Sequence, residues 1–167
     1  WRGSGLTEQV IPSSGLRPFD TGNSDFEYLE LQNQADHPLA LGGVHFSQGL
    51  RYRFPEHAVL QAGQRLILAG NRRRFADRYP GVTIAGTFAG TLANEGETLT
   101  LVDAQARTLW SLPFSDDSPW PQAADGGGSA LVHVGGSLTD TANWRASSQV
   151  DGSPGLPDPS PATHPQV

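Results

Sequence analysis

Residues Phe114 to Val134 read FSDDSPWPQAADGGGSALVHV. Asp116 and Asp117 mark an acidic turn, Pro119 and Pro121 box in Trp120, and Gly126 to Gly128 form a run of three glycines. From Ser129 to Val134 the stretch becomes an apolar strand. Proline on both sides of Trp120 restricts the backbone, so the large ring can be held with little entropy left to lose. Such a loop needs strands to be pinned against, and the rest of the chain supplies them.

Upstream, Asp25 to Asn33 (DFEYLELQN) alternates with period two. Leu29 and Leu31 fall on one face and Tyr28 and Glu30 on the other, the mark of a strand. Val44 and Phe46, then Tyr52 and Phe54, alternate around Gln48-Gly49 and predict a hairpin closed by Pro55. Arg65 to Ala69 (RLILA) reads as a strand buried on both faces. Asn71 to Tyr79 is the one helical candidate: Asn71 can cap it, Phe75 and Tyr79 are four apart, and Pro80-Gly81 stops it. Val82 to Ala85 suggests a short strand, and Thr98 to Asp103 with Thr108 to Phe114 a hairpin. Leu6 to Ile11, ending at Pro12, reads as an edge strand, followed by a long loop over Ser13 to Ser24. Ser129 to Val134 is the last clear strand. From Ser147 onward the prolines predict neither ladder nor helix, and Asp158 onward reads as a linker.

Composition agrees with this picture. The 167 residues suit one domain, expected over residues 1–157, with 158–167 as a Pro-rich tail. Twenty Gly and 13 Pro favour turns and short elements. The fold class that follows is all-β, an Ig-like antiparallel β-sandwich with one short helix. There is no Cys, so neither a disulfide nor a thiolate metal site can form. The net charge of −6 works against phosphate backbones as partners. No apolar run approaches the ~18 residues of a membrane-spanning helix. No stretch has the pattern of a signal peptide, and Met is absent, so the chain is expected to be a segment of a longer or processed protein.

Four groups of residues bear on function. Trp120 is either an aromatic binding platform or a plug in the end of the sandwich, and a plug is the commoner use of such a ring. Arg72, Arg73, Arg74 and Arg78 concentrate positive charge on the candidate helix, with Asp77 partly offsetting it. They could meet an anionic partner or simply be a solvated face. Asp116, Asp117 and Asp125 are the calcium candidates, although no EF-hand spacing is present and solvated turn carboxylates are the default. The glycine run lacks the Lys and the following helix that a phosphate loop requires, so it reads as a tight turn. No G-x-S-x-G elbow or H-E-x-x-H pair occurs, and the five His are scattered, with His45 and His133 inside strands. No catalytic set is expected, and no cofactor beyond the calcium option.

Several pieces in order resemble the lamin-tail domain family, an Ig-like sandwich. Glu27-Tyr28-Leu29-Glu30-Leu31 with Asn33 resembles its E-aromatic-aliphatic-E-L-x-N strand. Leu41 to Ser47 resembles its L-x-G-W segment, with Val44 where the family has Trp. Tyr52-Arg53-Phe54-Pro55, Leu60-Gln61-Ala62-Gly63 and Leu92 to Glu97 resemble further pieces. So do Trp120-Pro121 with Asp125 to Leu131, then Asn143-Trp144-Arg145, then Gly152-Ser153-Pro154-Gly155. The resemblance spans residues 5 to 157. It implies a non-catalytic module of a larger exported bacterial protein, at the cell surface or outside the cell, that binds protein or a surface polymer or spaces its neighbours. A module binding nucleic acid or another polyanion through the Arg helix is the alternative. A shared fold does not by itself set the ligand.

Overall fold

A computed structural model describes residues 6–10, 23–93, 95–124 and 128–159. Among these residues eleven strands and one short α-helix make an all-β sandwich-like fold, as the sequence predicts. The strands are β1 (Leu6–Val10), β2 (Tyr28–Asn33), β3 (Leu39–Ala40), β4 (His45–Gln48), β5 (Val59–Leu60) and β6 (Arg65–Ala69). They continue with β7 (Gly86–Thr87), β8 (Gly96–Val102), β9 (Thr108–Ser115), β10 (Ser129–His133) and β11 (Trp144–Val150). The helix α1 spans Arg72–Arg78. One layer is a six-stranded sheet in the order β11-β10-β1-β2-β6-β7, and the other comprises β4-β8-β9 with the small β3-β5 pair beside it. All pairings are antiparallel except β6 with β7, which run parallel.

Alternation along β2 builds two cores at once. Leu29 and Leu31 face inward with Leu68, Leu99, Leu101, Leu112 and Phe114, all buried in the space between the layers. Tyr28 and Glu30 lie on the outer face, opposite Ala69 and Ile67. That face is covered too: Tyr28, Ile67, Ala69, Phe75, Ile84 and Ala130 form a second buried cluster. Around β2 and β6 the sheet is therefore covered on both faces, with helix α1 making a third layer. Asn71 caps α1 by accepting from the Arg73 and Arg74 N–H groups, and Phe75 and Tyr79 turn toward Tyr28. The three rings meet edge-on or tilted, with centroids 5.6, 5.7 and 4.8 Å apart. Such pairs add roughly 0.5–1.5 kcal/mol each beyond their burial.

Two strands differ from the sequence expectation. Leu6–Val10 is not an edge strand, since β1 is paired with both β10 and β2. Proline stands two residues beyond its last residue, so it removes no ladder hydrogen bond from β1. The stretch after Ser129–Val134 also holds a further strand, β11, which runs through Ser147. The chain has no proline between Pro121 and Pro154, so nothing interrupts that ladder. The strand expected near Val82 to Ala85 forms slightly later, as the two-residue β7. Asp25 and Phe26 belong to a 3-10 turn that precedes β2. Most of the loop expected from Ser13 to Ser24 lies outside the described residues.

The hairpin around Gln48-Gly49 forms as expected, with the Phe46 N–H donating to Tyr52 O at 3.0 Å and the Phe54 N–H to Val44 O at 2.8 Å. The turn before it packs backbone on backbone. A Cβ on Gly42 would stand 2.3 Å from the Glu56 carbonyl oxygen, a contact no flexible side chain can relieve. Gly42→Ala is therefore expected to lower stability by about 1–3 kcal/mol. An unchanged urea midpoint would mean that this turn and the Pro55–Ala58 segment can separate at no cost.

Candidate functional site

After β11 the chain crosses back over the outer face of the six-stranded sheet as a strap, residues 151–159. Asp151 takes a left-handed conformation, φ 71°, which turns the chain sharply. Its carbonyl accepts from the Tyr79 hydroxyl at 2.7 Å and the Tyr28 hydroxyl at 3.4 Å, and its carboxylate pairs with Arg78. Burial pushes the Tyr79 phenol up to about 12 and the Tyr28 phenol well above its ordinary value, so both remain hydroxyl donors at neutral pH. Further on, the Gly155 N–H donates to Glu30 Oε2 at 2.6 Å. Asp158 then closes the strap on β11, accepting from Arg145 at 2.6 Å and from the Ser148 N–H at 3.0 Å. Burial works against the Asp158 carboxylate, but the Ser148 amide and Arg145 outweigh it and hold its pKa below the usual range. The first residues of the Pro-rich exit, Asp158 and Pro159, are thus attached to the sheet; residues 160–167 lie outside the described residues.

Under the strap, Glu30 is almost wholly buried on β2 and bonded to Arg65 Nη1 on β6. Arg65 Nη2 donates to Gln32 Oε1 at 3.1 Å. Burial raises the Glu30 pKa, and the Gly155 N–H and Arg65 pull it part of the way back. Beside this pair lies an open groove of about 730 Å³. Its floor is Gln32, Arg65 and Ile67, and its sides come from loop 80–83 and strap residues 154–157. Loop and strap meet over Ile67: a Cβ on Gly155 would come 3.6 Å from Val82 and 3.9 Å from Ile67. Leu156 on the rim is 66% exposed. The volume lies in the ordinary range for ligand sites.

The four arginines singled out from the sequence all lie on α1 but do not act together. Arg78 pairs with Asp151 and stacks over the Phe26 ring at 5.5 Å, and Arg74 pairs with Asp25 at 3.3 Å. Arg72 and Arg73 are exposed and make no ion pair among the described residues. The helix positions its two C-terminal-side arginines as structural ties and leaves two to solvent.

Trp120 is a core residue. It is buried against Trp144 with ring centroids 5.8 Å apart, and the Trp144 Nε1–H donates to Leu138 O at 2.9 Å. Asp116 and Asp117 stand in the turn before it, where the Asp117 carbonyl accepts from the Trp120 N–H at 3.0 Å and the Asp116 carbonyl from Gln122 Nε2 at 2.7 Å. Their turn is held by backbone groups. Asp125, the third calcium candidate, and Gly126-Gly127 lie outside the described residues. Among the described residues no three His, Asp or Glu side chains gather as a metal site.

The two strand histidines separate. His45 Nδ1 contacts Gly43 O at 3.0 Å, whereas His133 packs 4.9 Å from Trp144 and, among the described residues, neither of its buried ring nitrogens makes a well-formed hydrogen bond. Burial lowers the His133 pKa, and the nearby Ser137 backbone opposes this without reversing it. A folded pKa below the ordinary 6.5 means that the unfolded chain binds the proton first. Stability is then expected to fall as pH drops below about 6.5, until the folded imidazole itself protonates. His133→Gln should flatten that part of the stability profile, and an identical slope in the variant would assign the acid sensitivity elsewhere.

No signal in the sequence pointed to the groove. Its floor comes from two strands, and its sides come from a helix-exit loop and the end of the expected domain, a Pro-rich stretch expected to form neither ladder nor helix. No family model matches the chain, and no curated protein matches it.

Proposed function

We propose that the chain is a non-catalytic, lamin-tail-like module of a larger exported bacterial protein, working at the cell surface or outside the cell by binding a protein or surface polymer. The observation that carries this reading is how the charged groups around the groove are used. Glu30, Arg65, Arg78, Asp151, Arg145 and Asp158 are each committed to a partner that holds the strap or sheet in place. Residues that must shuttle protons or attack a substrate need freedom and a tuned pKa at the reacting centre. Here the geometry uses its charges as ties and leaves a shaped, partly apolar groove beside them. The test is to incubate the purified chain with ester, phosphodiester and glycoside substrates. No turnover above the uncatalysed rate is expected, and enzyme-like turnover would overturn the reading.

The exposed pair Arg72 and Arg73 supports a second reading, a module for nucleic acid or another polyanion. In that case a salt-sensitive gel shift with single-stranded DNA should disappear in the Arg72→Gln/Arg73→Gln protein. The absence of any shift at low salt would end it.

A further inference from the structure

We propose that the groove over Ile67 binds an extended peptide segment in which a carboxylate is flanked by aliphatic side chains. This rests on the binding-module reading and names the partner's chemistry. The argument from charge starts at Arg65. A guanidinium offers five N–H donors. Glu30 takes one and Gln32 another, and no further acceptor for Arg65 is found among the described residues. Glu30 itself is buried beneath, with its other oxygen on Gly155, so from the groove the cation is what a ligand meets. The Arg65 side chain keeps 19% of its surface exposed, against 1% for Glu30. An incoming carboxylate matches the remaining fork in charge and in planar geometry.

The sides of the groove define the rest of the ligand. Val82, Leu156 and Pro157 present aliphatic surface, and Ile67 lies under them. Leu156 is among the few large apolar side chains that are mostly exposed, and it stands on the rim of this concavity. Among the described residues no aromatic ring lines the groove, and so none of them offers a platform on which a nucleobase could stack. Aliphatic contacts around one fixed cation suit an extended peptide, whose carbonyl groups can also accept from the guanidinium and whose side chains pack on alternate sides.

The test uses the whole isotope-labelled chain and a blocked hexapeptide containing one aspartate between valine and proline residues. Its asparagine counterpart and sodium octanoate serve as comparison probes. The aspartate peptide is expected to move the amide resonances of Gln32, Arg65, Val82 and Leu156, and to half-saturate at about tenfold lower concentration than the asparagine peptide. Leu156→Asp changes an exposed side chain, so the protein should keep its other resonances while losing most of the peptide response. No shift at millimolar peptide, equal binding of both peptides, or an unaltered response in Leu156→Asp would overturn the proposal. Octanoate binding as well as the aspartate peptide would overturn the peptide assignment. Shifts centred on Arg72 and Arg73 would also overturn it and would favour the polyanion reading. None of these results involves substrate turnover, so the non-catalytic reading is tested separately.

Discussion

Replacing Trp120 with Ala is expected to lower stability by about 3–5 kcal/mol, the usual cost of deleting a buried Trp. The ring is only 9% exposed, lies in the main core and rests on Trp144. Trp144 in turn packs on His133, so the deletion would leave a void beside Trp144 and remove its support on one side. The surrounding backbone has little freedom to close it, because the Asp117–Trp120 turn is hydrogen-bonded. For a chain of this length the loss corresponds to about 10 °C in Tm. A thermal melt or urea titration measures it directly. An unchanged midpoint would put the ring in solvent and restore it as a binding platform.

The second large effect is expected at Arg65. Arg65→Met should cost about 3 kcal/mol near neutral pH, because it leaves Glu30 charged, buried and without its counter-ion. The Gly155 amide alone cannot replace the charge-assisted bond from Arg65. The pH dependence has a definite sign. The folded-state pKa of Glu30 already lies above its ordinary 4.5, and losing Arg65 raises it further. Between 4.5 and that raised value the folded protein binds more protons than the unfolded chain, so the stability of the variant falls as pH rises through the window. The deficit should therefore shrink in mild acid. Adding Glu30→Gln to Arg65→Met should restore part of the loss, because a neutral amide needs no counter-ion. Strictly additive effects of the two substitutions would show that the residues do not act as a pair.

Much of the body was legible because its signals are local. Period-two alternation in Tyr28–Asn33 and Arg65–Ala69, and the cap and stop around α1, depend on neighbours in the chain. The turn at Gln48-Gly49 depends on backbone freedom that a sequence displays. What alternation does not show is which strand lies beside which. Leu6–Val10 looks like an edge because a proline follows it, yet it lies between β2 and β10. The chain from Ser147 onward looks too rich in proline for a ladder, yet Trp144–Val150 pairs with β10 as a strand. Glu30 shows the same limit. Its position on the face opposite Leu29 and Leu31 was readable, but nothing nearby in sequence announced that the strap would bury it 125 residues later in the chain.

The candidate site divides along the same line. The basic character of Arg72, Arg73, Arg74 and Arg78 and their placement on one helix follow from the sequence alone. That Arg74 and Arg78 are taken by Asp25 and Asp151, while Arg72 and Arg73 remain exposed, depends on where distant segments come to rest. The alternating strands and the capped helix could be read from the chain alone, because they follow from backbone preference and hydrophobic periodicity, whereas Trp120 stayed open between platform and plug until its packing on Trp144 placed it in the core. That a Pro-rich exit becomes a strap, that Glu30 and Arg65 lie beneath it, and that a groove opens beside them emerge only once the chain is packed. Those features come from contacts between residues far apart in the chain, and such contacts leave no local pattern to read.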